Sequence, residues 1–247
     1  MPDLIHSFPS ILAAFLASLV EFVEALTVVL AVGVTRGWRS ALAGAALGIA
    51  LLAALVLAFG PALTRIPLTI VQFVVGILLL LFGLRWLRKA ILRAAGRIAL
   101  HDETAEFAKT TGALRLTSPA HRWDRMGMAT AFKIVVLEGV EVVFIVVALG
   151  AAGGTLLPAT FGALAALVAV VLLGALLHRP LAQIPENTLK FTVGCLLAGF
   201  GTFWTGEGIG VAWPGADWSI LGLVAGFLVI ALALTTAKRG ALQRKLS

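Results

Sequence analysis

The chain of 247 residues is 60% hydrophobic and only 13% charged, with a mean hydropathy of +1.05 and a formal net charge of +7. A soluble domain carries about 25% charged residues, so a soluble enzyme, a disordered tail and a disulfide scaffold are excluded. A single cysteine, Cys195, leaves no material for an intramolecular disulfide or a multi-cysteine metal cluster.

Seven apolar runs reach the roughly 20 residues that a spanning helix needs. In chain order they are Ile11–Val34, Ser40–Gly60, Pro67–Leu87, Thr130–Gly150, Leu156–His178, Thr188–Glu207 and Ser219–Thr235. Their continuous Leu, Ala and Val content lacks the alternation of a membrane barrel, so helices are expected. The start, Met1–Ser10, has no Lys or Arg and does not read as a cleavable signal peptide. Glycines such as Gly33, Gly44 and Gly48 permit close helix contact. Trp38, Trp86, Trp204, Trp213 and Trp218 read as an interfacial aromatic belt. Between the third and fourth runs lies the long polar segment 88–128. Its first part, Arg85 to Leu100, reads as a basic amphipathic helix leaving the membrane or lying on an anionic surface. His101, Asp102, Glu103 and Glu106 read as loop.

The expected fold is therefore an all-α polytopic membrane protein of seven transmembrane helices. Its parts are residues 1–90, a basic cytoplasmic loop over 91–127, residues 128–210, and a seventh helix with a basic tail over 211–247. With seven spans, 18 of the 19 Lys and Arg residues fall on one side and only Arg65 on the other. That asymmetry predicts an N-terminus outside and a C-terminus in the cytoplasm, in an inner (plasma) membrane of bacterial type. It also assigns the positive charge to topology and the lipid bilayer, with no nucleic-acid partner. Arg179 and Lys190 are taken to flank the fifth-to-sixth turn, and no membrane-embedded Lys or Arg is expected.

The two halves resemble each other. Val20-Glu21-Phe22-Val23-Glu24 aligns with Leu137-Glu138-Gly139-Val140-Glu141, and Gly33 with Gly150. Ile66-Pro67 aligns with Ile184-Pro185, and Gln72 through Gly76 with Lys190 through Gly194. Phe82-Gly83 and Trp86 align with Phe200-Gly201 and Trp204. Three spans per half is an odd number, so the second half enters the membrane upside down. Two inverted three-helix repeats plus one extra C-terminal helix are a recurring transporter architecture, with the site at the midplane between repeats.

The repeat carries Glu-x-x-Glu twice, as Glu21 and Glu24 in the first span and Glu138 and Glu141 in the fourth. Each intramembrane carboxylate costs roughly 2.5–3.5 kcal/mol on insertion scales, so four must face protein, water or a cation. The spacing puts each pair on one helix face. Four converging carboxylates without a counter-ion cannot all ionise, so some hold protons in an empty site. A cage of oxygens suits a hard metal cation, with the proton as suspected coupling ion. Thr27, Gln72, Thr202 and Thr205 are candidates to line the pathway. Glu207, Asp217 and Asp3 are acidic residues on the outer side. No HExxH, Ser/His pair or cysteine pair lies in the spans, so no enzyme activity and no bound cofactor are expected.

At these residues the sequence resembles the oxidase-dependent iron permeases, the iron/lead transporter family, as a divergent branch. The family's motif reads Arg-Glu-Gly-Leu-Glu; here the second copy is Leu137-Glu138-Gly139-Val140-Glu141 and the first Val20-Glu21-Phe22-Val23-Glu24. A more distant similarity is to the manganese/calcium–proton exchangers with Glu-x-Gly-Asp motifs. The resemblance implies a secondary transporter of a metal cation such as iron or manganese. Self-association into a homo-oligomer, or a separate oxidase or metal-delivery protein, would then be the partner. The alternative is an exporter of a small, cationic organic solute, as in the lysine-exporter-like superfamily.

Overall fold

The computed structural model describes residues 4–63, 66–100, 102–115, 123–152, 155–177 and 186–246. Met1, Asp3, Arg65, His101, His178, Arg179, Ile184 and Pro185, named above, lie outside the described residues. The described chain forms α1 (Leu4–Arg36), α2 (Trp38–Leu63), α3 (Leu68–Ala94), α4 (Glu103–Arg115), α5 (Arg125–Ala152), α6 (Leu156–Leu177), α7 (Glu186–Gly208) and α8 (Ser219–Leu246). A single 3-10 turn, Ala216–Trp218, precedes α8.

Five of these helices, α1, α2, α3, α6 and α8, contain segments long and apolar enough to cross a bilayer. Two others, α5 and α7, have 28 and 23 residues. Like α1 and α3, they carry charge within the helix: Lys133, Glu138 and Glu141 in α5, and Glu186, Lys190 and Glu207 in α7. The outer faces of α2, α6 and α8 expose Leu47, Ile49, Leu157, Phe161, Val171, Leu172, Val229 and Ile230. Contiguous apolar surface of this extent is unfavourable in water and is satisfied by lipid.

Two details of the polar segment differ from expectation. The basic stretch from Arg85 is the last third of α3 and ends at Ala94, where Ala95 caps it and Gly96 turns the chain with φ +71°. The residues read as loop instead start a helix. Asp102 accepts hydrogen bonds from the Thr104 and Ala105 amides at 2.8 and 3.3 Å, the usual N-cap device, and α4 follows. A helix so polar shows little apolar periodicity, which is why it escaped a reading based on that signal.

The α1–α2 connection is one residue long. Gly37 adopts φ +97° and donates its amide to the Gly33 carbonyl at 3.2 Å, closing α1. Arg36, just before it, is buried. Its guanidinium donates to the Asp124 carboxylate at 3.0 Å and to the Leu114 carbonyl. Asp124 also caps α5 by accepting from the Met126 amide at 2.9 Å, and its own amide donates to the Ser40 hydroxyl oxygen at 2.8 Å. One ion pair thus ties α1, α2, α4 and α5 together at that end of the bundle.

The core lies between α1, α3, α5 and α7, with Val20, Leu79, Ile145, Leu149, Leu197 and Phe200 almost fully buried. Helix α3 packs most extensively on α7, α1 on α6 to the same extent as α2 on α5, and α1 also on α5. The α3–α7 contact is antiparallel and built on glycine. Gly76 lies against Thr205, Gly83 against Ala198, Gly194 against Leu87 and Gly208 against Phe73. Trp86 and Trp204, expected at the interface, are instead buried beside this seam, because each stacks on the phenylalanine one turn before it. Phe82 and Trp86 rings are 5.2 Å apart and Phe200 and Trp204 rings 5.1 Å. Trp38 and Trp218 are exposed, as a belt requires.

The seam makes a stability prediction. A Cβ on Gly201 would lie 2.3 Å from the Leu80 amide nitrogen, whereas one on Gly226 meets nothing within 4 Å. Gly201→Ala should destabilise the detergent-solubilised protein by about 1–3 kcal/mol through overpacking. Gly226→Ala should be neutral or slightly stabilising, since Ala is the better helix former. Equal melting temperatures for the two variants would show that α3 and α7 do not approach this closely.

Candidate metal site

The Glu-x-x-Glu spacing does what a helix of 3.6 residues per turn requires: it turns both carboxylates of α1, and both of α5, toward the bundle axis. Carboxylate oxygens of Glu21, Glu138 and Glu141 lie within 4.8 Å of one another. Glu21 is 1% exposed. These three acids from two helices form one cluster. Glu24 faces the same cavity but is engaged elsewhere: the Lys190 ammonium of α7 makes a direct ion pair with its Oε1.

The cavity has a volume of about 130 Å³. Its lining carries all four glutamates, together with Arg85, Lys89 and Arg93 of α3 and Lys190 of α7. This corrects the expectation that no embedded cation neutralises the acids. Lys190 was taken to flank a turn, but the first turns of α7 pack against α3 and bury it. Its ammonium sits 3.2 Å from Glu186 Oε1, one turn back on α7, and 5.5 Å from the centre of the Trp86 ring. Arg93 reaches Glu186 at 3.7 Å with both side chains buried, and Arg85 approaches Glu141 at 3.9 Å. The charges form a chain that runs Arg93, Glu186, Lys190, Glu24. Glu186 suits its place, since a carboxylate in the first turn meets the positive end of the helix dipole.

The candidate pathway residues lie apart from this cavity. Thr27 donates its hydroxyl to the Val23 carbonyl at 3.0 Å, Thr202 to Ala198 at 2.8 Å and Thr205 to Gly201 at 2.6 Å, each within its own helix. Gln72 donates to Glu207 Oε2 at 3.2 Å, linking α3 to α7 near the opposite end of the seam. Of the outer acidic residues, Glu207 is thus half-buried and engaged, while Asp217 is exposed in the 3-10 turn. The residues that sequence reasoning missed are Arg85, Lys89, Arg93 and Lys190. One signal for Lys190 was present: it occupies the register position of Gln72 in the repeat, and it follows Glu186 by four residues.

Four acids on two helices are thus closed in by cations on two others around a cavity of about 130 Å³. Residues 115–235 match the ferrous iron uptake permease, iron-lead transporter family. This stretch of the chain is similar to that family. The match takes in α5, α6 and α7 and most of α8, including Glu138, Glu141 and Lys190. Comparison with curated proteins and with solved structures gave no match. The family is one of transporters rather than enzymes, and with five strongly apolar helices the protein is an integral membrane protein.

The ion-pair chain predicts its own weak point. Glu186→Ala removes the carboxylate between two buried cations, and breaking a buried pair costs about 3–5 kcal/mol. Its melting temperature in detergent should fall well below that of Lys89→Ala, a change at an exposed side chain. A Glu186→Ala protein as stable as wild type would show that the chain of charges does not hold α3 to α7.

Proposed function

We propose that this protein is a secondary transporter of a metal cation such as iron or manganese, with Glu21, Glu24, Glu138 and Glu141 as its ligands. The observation that carries the reading is the convergence of Glu21, Glu138 and Glu141 oxygens within 4.8 Å, in a cavity of about 130 Å³. Pockets for organic ligands run to about 300–1,000 Å³. A space less than half that size favours a metal ion with a few waters over the organic-solute alternative. Carboxylate oxygens are the ligands that hard cations take.

Helices α5 and α7 complete seven spans in this reading, and α1–α3 and α5–α7 are inverted repeats. The packing supports this. A two-fold axis that exchanges the repeats requires α1 on α6 to mirror α2 on α5, and the Phe82–Trp86 pair to mirror Phe200–Trp204. The cavity opens among the C-terminal third of α3 and the first turns of α7, the side assigned to the cytoplasm by the basic residues. Rocking of one repeat against the other would expose the same carboxylates to the opposite side. Protons are the proposed coupling ion, because metal and proton compete for the same oxygens.

Uptake of Fe²⁺ or Mn²⁺ into proteoliposomes tests the reading. The Glu21→Gln, Glu141→Gln double variant should reconstitute normally and lose transport, since Gln keeps the shape and gives up the charge. Metal entry by the wild type should be accompanied by proton movement recorded with a trapped pH indicator. Full transport by the double variant would end the proposal.

The membrane orientation is tested separately. Arg115 is exposed at the end of α4. In a Cys195→Ala background, Arg115→Cys should resist a membrane-impermeant thiol reagent on intact cells, and Asp217→Cys should react. The reverse pattern would invert the topology.

A further inference from the structure

Lys190 and Arg93 are both buried cations in the lining of the four-glutamate cavity, and of these two it is Lys190 that pairs with one of the four glutamates. Its position is specific. The ammonium lies on Glu24, the one glutamate that stands outside the three-carboxylate cluster. It has a second seat already within reach, the Glu186 carboxylate at 3.2 Å, whose own neighbour Arg93 is 3.7 Å away. The Trp86 ring at 5.5 Å supplies a third favourable contact that does not depend on Glu24. A Lys side chain is long and flexible, and its ammonium is a point charge with three rotatable donors, so small rotations carry it between two carboxylates.

We propose that Lys190 is a resident cation of the site, which occupies Glu24 when no metal is present and is displaced onto Glu186 when a metal ion takes Glu24 as a ligand. The inference rests on the reading of the glutamates as metal ligands. It makes Lys190 a specificity-determining residue. An entering ion must do more for Glu24 than a tethered single positive charge already does. A divalent ion bridging Glu24 to the cluster of Glu21, Glu138 and Glu141 meets that condition. A monovalent alkali ion brings no more charge than the ammonium it would displace. The displaced ammonium is not stranded, because Glu186 and Trp86 hold it. The repeat supports a role peculiar to this end of the site. The register position of Lys190 in the first half is Gln72, a neutral residue engaged with Glu207.

The test is a set of binding titrations on the full-length protein in detergent, with Mn²⁺ alone as probe and free Mn²⁺ read by its paramagnetic resonance signal. Lys190→Gln should bind Mn²⁺ about tenfold more tightly than wild type, within the range that coupled neighbours show. In a Glu24→Gln background the same substitution should give no gain, because the ammonium then has no metal ligand to vacate. A gain that persists in that background would mean a general field effect and would overturn the displacement model. Lys190→Arg keeps the charge and the fold, and its planar fork holds a carboxylate through two hydrogen bonds. It should bind Mn²⁺ several-fold more weakly than wild type; equal or tighter binding would count against the proposal even if Lys190→Gln failed to fold. Sodium chloride should weaken Mn²⁺ binding to Lys190→Gln more than choline chloride does at the same ionic strength, and the two salts should act alike on wild type. Wild type that binds no Mn²⁺, or whose binding survives Glu21→Gln with Glu141→Gln, would bring down the metal reading and this inference with it. Glutamate-dependent binding that Lys190→Gln leaves unchanged would overturn this inference alone.

Discussion

The structure is organised around the cost of placing four carboxylates inside an apolar bundle. In a low-dielectric interior that cost is large, and the penalty is met only by pairing, hydrogen bonding or a bound ion. Every polar feature near the bundle axis answers to it. Glu21 clusters with Glu138 and Glu141, Glu24 takes Lys190, and Glu141 is approached by Arg85. Lys190 and Arg93 in turn need Glu186. The result is a string of alternating charges, Arg93, Glu186, Lys190 and Glu24, whose members come from three helices. None of those helices could carry its charged residues alone.

That string depends on how closely α3 and α7 approach. Gly76 and Gly83 on α3, with Gly194, Gly201 and Gly208 on α7, remove the side chains that would hold the two backbones apart. Close contact brings the last third of α3 beside the first turns of α7 and sets Arg93 against Glu186 and Trp86 beneath Lys190. A wider seam would leave these cations at the surface and the glutamates of α1 and α5 without partners. The packing of α3 and α7 and the electrostatics of the site are one problem, solved by glycine at one level and by charge at the next.

The sequence made much of this legible, and the exceptions have physical causes. Spanning runs are visible because lipid demands continuous apolar surface, and each run overlaps one of the long helices. The Glu-x-x-Glu pairs were visible because intramembrane acids are costly enough to stand out. Lys190 was not, because counting basic residues for topology treats each one as solvated. A lysine near a helix end reads the same whether its ammonium reaches water or turns inward onto Glu24. Trp86 and Trp204 failed for a related reason. Tryptophan near the end of an apolar run is ordinarily interfacial, and only the phenylalanine one turn earlier, at Phe82 and Phe200, distinguishes a core stack from a belt. The polar α4 was missed because its signal is the Asp102 cap rather than an apolar stripe.

The departures from internal symmetry are the most informative part of the repeat. A carrier made of two identical inverted halves would have inward-open and outward-open states of equal energy, and an empty site would show no preference between them. Here the halves match in their glutamates and in the Phe–Trp stacks but differ around the cavity. Lys190 stands where the first half has Gln72, and Lys89 stands where the second half has Glu207. One end of the α3–α7 seam is therefore cationic and the other carries a neutral amide and an acid, joined by the Gln72–Glu207 hydrogen bond. In the proposed transport cycle, that difference gives the empty carrier a preferred state, the one in which Lys190 reaches Glu24. Metal binding works against the preference by taking Glu24 away from the ammonium. A population shift requires a ligand that interacts differently with the two states, and Glu24 provides that difference because it serves Lys190 in one state and the metal in the other.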